Sequence, residues 1–177
     1  MDAYSGLLAA YMAAMVGMVI FAVLAYVLTA YFMSKVFAKA GVQGTWRAWV
    51  PIYNFMVFFK LGDLSPWLVL YCVGGAVLLS WIGIGFIFSL ALFLGGGVAA
   101  YRIGVKLGKE TGFVAFWLIP VLWLGIVAFN KDRWNTAVAP AQWAGNSFLA
   151  DRTVWDGVPA QTTTGPALPG TAAGADA

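Results

Sequence analysis

The sequence predicts an all-α membrane protein with four transmembrane helices, one interfacial or re-entrant helix and a disordered C-terminal tail. Three observations predict it. Of 177 residues, 62% are hydrophobic and 10% charged, against roughly 45–50% and about 25% in soluble domains. A soluble core of this size has no room for that excess, so lipid is the natural solvent. Charge is absent from three long runs, 3–34, 64–101 and 111–130. The basic residues fall between those runs, as in membrane loops.

The first run gives a span at about 6–33. It is read as a span and not as a cleavable signal, because only Asp2 precedes it and the apolar stretch is too long for an h-region. Ala9, Ala13 and Gly17 repeat at four-residue spacing. Small residues so placed let helix backbones approach in lipid, within one chain or between copies.

The next segment, "GTWRAWVPIYNFMVFFKLGD" at 44–63, is too short to cross and too apolar for an ordinary loop. Pro51 disfavours helix at Val50, so a break is expected there, with a short helix starting at the proline. Asn54 is expected to bond the backbone beside that break. Trp46, Trp49 and Tyr53 suit the headgroup zone, and Arg47 and Lys60 can reach phosphates. The reading is an interfacial helix over about 46–60. Trp46, Arg47, Trp49, Pro51, Tyr53 and Asn54 are its candidate partner-facing residues.

The run 64–101 would be about 57 Å long as one helix, nearly twice a hydrocarbon core of about 30 Å. Two spans, 66–82 and 85–107, fit better, turning near Gly83 and Gly85. Ser65 is the expected N-cap and Pro66 the first helical residue. Gly96, Ala100, Gly104 and Gly108 form a second small-residue stripe. Arg102, Lys106 and Lys109 share one helix face. With Lys35, Lys39 and Lys60 they are candidate contacts for anionic lipid. The run 111–130 is the fourth span, kinked at Pro120.

From 135 to 177 the chain is rich in Ala, Thr, Gly and Pro and is expected to be disordered. Trp143, Phe148 and Trp155 would then be a short docking motif or surface contacts. Four spans put both termini outside the cytoplasm, with seven basic residues inside and three outside. A three-span chain scores the same, so only the length of 64–101 separates the two.

The composition also bears on chemistry. There is no histidine and a single cysteine, Cys72, so His-based triads and zinc sites are ruled out. No acid or base falls within the charge-free runs, and the last turns of 85–107, with Arg102 and Lys106, are expected to emerge from lipid, which disfavours a proton-coupled transporter. "LGGGVAA" at 94–100 lacks the Lys-Ser/Thr of a phosphate loop. No enzyme activity, cofactor or nucleic-acid partner is expected.

"KVFAKAG" (35–41), "VPIYNFMVFFKLG" (50–62), "PW" (66–67), "KLGKETGF" (106–113) and "LIP" (118–120) resemble a family of small bacterial multi-span proteins. Its domain has no assigned function. A similar segment precedes the catalytic part of some chains labelled signal peptidase I, but the serine–Met-x-Pro motif of that chemistry is absent here. The resemblance covers about 35–130, and it implies the bacterial cytoplasmic membrane. The stretch between "PW" and "TGF" is longer than in the family, and "SWIGIGF" stands where a second Pro-x-x-Asn would be. The expected function is a non-enzymatic multi-pass protein packing against lipid, a membrane partner or its own copies. A small holin-like pore and an accessory to a protease or secretion machine are the alternatives.

Overall fold

The computed structural model describes residues 3–161. They form α1 (Ala3–Lys39), a 3-10 turn (Thr45–Trp49), α2 (Tyr53–Leu61), α3 (Trp67–Leu78), a short 3-10 turn (Ser80–Ile82), α4 (Gly85–Lys106), a 3-10 helix (Thr111–Leu118) and α5 (Pro120–Phe129). Among the described residues there is no strand, only the bridges Leu64–Ala150 and Trp155–Val158.

Two helices are long and apolar enough to cross a membrane: Tyr4–Lys39, mean hydropathy 2.5, and Gly85–Lys106, mean hydropathy 1.7. The four-span expectation is not met. α3 has 12 residues and α5 has 10, about 18 and 15 Å of helix against a core of about 30 Å. The expected span 111–130 splits because Pro120 begins a new helix instead of kinking a continuous one. Proline has no N–H to give the preceding turn, and the first helical position is where that lack costs least.

α1 has two unlike halves. Residues 4–24 are exposed on every side. Beyond them Ala30, Met33, Val36 and Phe37 are fully buried. The buried half runs parallel to α5. Phe32 meets Phe129 edge-on at 5.7 Å, and a Cβ on Gly125 would sit 3.3 Å from the Phe32 ring.

The break in 44–63 is where proline puts it, but the helix does not start there. Val50 is extended, Ile52 has φ +67°, and α2 begins at Tyr53. α2 is packed into the bundle rather than lying free on its surface. Asn54 and residues 56–61 are buried, and Phe58 stacks on Trp117 at 5.5 Å with Trp123 edge-on at 6.0 Å. The cause is Gly62: its Cα faces Ala99 of α4 so closely that a Cβ would fall 2.5 Å from the Ala99 Cα. That approach draws the end of α2 into the bundle.

The α3–α4 hairpin turns at Gly83, as the sequence predicts, with φ +81°, a conformation glycine adopts without strain. α3 starts one residue after Pro66, with no side-chain cap. The Ser65 N–H instead donates to Leu149 O at 2.8 Å.

That bond is one of several that overturn the expected disorder for 135–161. Asn135 N–H donates to Lys106 O at 2.9 Å, Asp151 N–H to Asp63 O at 3.2 Å, and Gln43 N–H to Gly157 O at 2.7 Å. Trp134, Trp143 and Trp155 pack against the core. Large aromatic surfaces spaced along the segment supply the burial that its Ala and Gly content lacks. Residues 162–177, also expected to be disordered, lie outside the described residues.

Candidate functional site

The C-terminal ends of α1, α2, α4 and α5 meet at one end of the bundle, beside the start of α3. Each helix end leaves carbonyls without intrahelical donors and carries partial negative charge. Four such ends together demand cations, and lysines from neighbouring helices supply them. Lys39, the last residue of α1, donates to Val127 O, Asn130 O and Asn130 Oδ1, each at 2.6 Å. It thereby caps α5. Lys106 donates to Leu61 O at 2.6 Å and so caps α2.

Asp63 is the anion at the centre. Its backbone, at φ +60°, turns just after α2, a conformation that Asp tolerates better than most side chains. Its carboxylate accepts from Lys106 at 2.5 Å and from Arg102 Nε. Arg102 Nη2 also donates to Ala139 O at 2.5 Å. Nearby, Lys60 pairs with Asp151 at 2.6 Å and bonds Thr153 through Oγ1 at 3.0 Å and through its carbonyl. Lys109 pairs with Asp132 at 2.7 Å.

The basic residues expected to meet lipid therefore do something else. Lys60, Arg102 and Lys106 are buried and paired within the chain. Lys39 is half-buried as a cap, and Lys109 half-buried in its ion pair. Among these six, Lys35 alone is exposed, its Nζ 5.3 Å from the Tyr31 ring centre. The helical spacing does put Arg102 and Lys106 on one face, but Asp63 turns that face inward.

The candidate partner-facing residues divide as well. Tyr53 is sandwiched between Trp46 at 6.1 Å and Trp155 at 5.5 Å. Arg47 donates to the Tyr53 hydroxyl, to Asp156 O at 2.8 Å and to Gln43 O at 3.0 Å. Asn54 is buried. Its amide donates to Ala48 O at 3.2 Å and its Oδ1 accepts from Phe55 N at 2.7 Å, satisfying backbone beside the break. Tyr53 and Asn54 thus face their own fold. Trp46, Trp49 and Pro51 are exposed, and the Trp49 carbonyl accepts from Tyr26 Oη at 2.7 Å.

The two small-residue stripes have different fates. Ala9, Ala13 and Gly17 are exposed, and a Cβ on Gly17 would meet nothing within 4 Å. Gly96 and Ala100 are buried, Gly96 under the Trp117 ring, 2.5 Å from where its Cβ would be. Gly104 makes only ordinary contact, 3.7 Å from Lys109 Cβ. Gly108 is not a packing residue: it lies past α4 at φ +70° and ends the helix.

Sequence reasoning missed the acidic partners Asp63, Asp132 and Asp151. The signal was there in "KLGD" and "NKD", where scarce acids stand beside bases in a chain with only seven acidic residues. Chemically the cluster is a set of fixed ion pairs, each carboxylate already held by a cation. Among the described residues no three of Cys, Asp and Glu gather as metal ligands would. No family model, curated protein or solved structure matches the chain, so the family resemblance rests on the quoted motifs alone.

Proposed function

We propose that this chain is a non-enzymatic integral protein of the bacterial cytoplasmic membrane that works by packing, against lipid or another membrane protein. The observation that carries the reading is the bare half of α1. Residues 4–24 are apolar and exposed on every side, and make about 31 Å of helix, the thickness of a hydrocarbon core. In water such a rod would be unstable against aggregation; in lipid it is at home.

A finer topology goes with this reading. α1 and α4 cross. α3, too short to span as a helix by itself, leads the chain down beside α4 with the help of the 3-10 turn at Ser80–Ile82. The segment 111–130 is re-entrant. The support is the Lys109–Asp132 pair at 2.7 Å, which joins the two ends of that segment. The bonds from 135–157 to Lys106, Asp63 and Gln43 argue the same way. The N-terminus is then outside and residue 161 inside. All 10 basic residues fall on the cytoplasmic side, a stronger positive-inside bias than the four-span arrangement offers.

Two measurements test it. Alkaline carbonate washing should leave the chain in the membrane pellet, and release into the supernatant would defeat the membrane reading. Reporter fusions after Gly83, Glu110 and Trp134 should read outside, inside, inside. An outside signal after Trp134 would restore the fourth span and remove the re-entrant segment.

A further inference from the structure

A groove of about 510 Å³ opens between α3, α4 and the segment 143–149. Its floor is the Phe59 ring, lying against Gly95, where a Cβ would come within 3.0 Å of the ring. Cys72 and Ala91 are among its walls. Trp143 closes the end nearest the ion pairs and is fixed there by its indole N–H, which donates to Asp63 O at 2.9 Å. Phe148 stacks on Tyr71 at 6.1 Å and 10° to form an outer lip, both rings 61% exposed.

We infer that this groove holds one acyl chain of an anionic phospholipid, an inference that rests on the membrane reading above. The lining is hydrocarbon and aromatic, and the one indole N–H in it is already satisfied. Its size lies within the about 300–1,000 Å³ of ligand sites. From Phe88 to Val98 its α4 wall rises about 15 Å, half of a hydrocarbon core of about 30 Å and so the depth of one leaflet. The neighbouring helix faces present Leu70, Leu90 and Leu94 outward, so the groove opens to lipid.

Charge selects the headgroup. The Leu64–Ala150 bridge and the Asp151–Asp63 bond fix the tail segment at the polar end of the groove. Arg152 follows directly and is exposed. The described ion pairs engage Lys60, Arg102, Lys106 and Lys109, and none engages Arg152. A lipid phosphate is the group its planar donors match, and an anionic lipid presents that phosphate without the choline ammonium that would repel the guanidinium.

The test uses the full chain in phosphatidylcholine vesicles doped with phosphatidylglycerol or phosphatidylcholine bearing a photoactivatable acyl chain. Labelled peptides are mapped by mass spectrometry. Both lipids should label residues 4–24, which reports membrane insertion alone. Phosphatidylglycerol should label 64–72 and 88–98 about threefold more than phosphatidylcholine, the scale of one exposed ion pair. Ala91→Trp should empty the groove of label while 4–24 stays labelled. Arg152→Ala should make the two lipids equal without changing the fold. Equal groove labelling in the unaltered chain would overturn the anionic headgroup. Groove label absent, or unmoved by Ala91→Trp while 4–24 is labelled, would overturn the site. Loss of label at 4–24 as well would defeat the membrane reading itself.

Discussion

The two halves of α1 are alike in composition and opposite in circumstance. Residues 4–24 are exposed throughout, while 30–37 include four side chains with no exposed surface. Both are apolar and both are helical. The difference is that the second half ends in Lys39, whose ammonium reaches the open carbonyls of α5. What orders the packed half is a polar anchor at its end, which fixes which apolar face meets which neighbour. Hydrophobicity alone gives a helix an environment; buried polar contacts give it a partner. If that is right, substitutions at the anchored end should be costly and substitutions in the bare half nearly silent.

The largest effect should come from Asp63→Asn. Asparagine keeps the shape and tolerates the positive φ, but it removes the charge facing Arg102 and Lys106 and turns one acceptor into a donor. Two buried cations then lose their anion, which costs about 3–5 kcal/mol. Thermal unfolding in mild detergent should show a large drop in Tm. A change under about 1 kcal/mol, the size expected of an exposed pair, would mean that the cluster is hydrated and that the anchor is not what separates the two halves.

Gly62→Ala should come next. The added Cβ would fall 2.5 Å from the Ala99 Cα, a backbone atom that cannot rotate aside. α2 must then move off α4, at about 1–3 kcal/mol for overpacking. The same melting experiment reads it, and an unchanged Tm would show that α2 is not held by close approach.

Much of this was legible in the sequence, and the failures share a cause. The turn at Gly83 and the start of α4 at Gly85 followed from charge-free length and the glycines. The break at Val50–Pro51 and the backbone role of Asn54 followed from proline sterics. What stayed hidden were pairings distant in the chain. Nothing local tells Lys60 that Asp151 lies 2.6 Å away, or Lys106 that it will cap α2. Each lysine alone looks like a snorkelling side chain at a helix end. The order in 135–161 was hidden for the same reason. Its composition reads as a solvated tail until Trp143 and Trp155 are seen to have receptors. The fate of 111–130 turned on whether Pro120 kinks a helix or starts one, and local sequence allows either.

The smallest effect should be Gly17→Leu, and it sharpens the comparison most. Nothing within the chain comes within 4 Å of a Cβ at this position, so the substitution meets no neighbour and fills no core. The replacement is also the better helix former, by up to about 1 kcal/mol. Folding stability of the packed unit should therefore move by no more than about 0.5 kcal/mol in the unfavourable direction. The arithmetic changes if a second copy covers Ala9, Ala13 and Gly17. A leucine then holds the backbones apart, and self-association in lipid falls while the isolated chain melts as before. Chemical crosslinking at several protein-to-lipid ratios distinguishes these cases. Equal dimer yields for both chains leave the first half of α1 as a lipid-facing rod, and a loss confined to Gly17→Leu assigns it a protein partner.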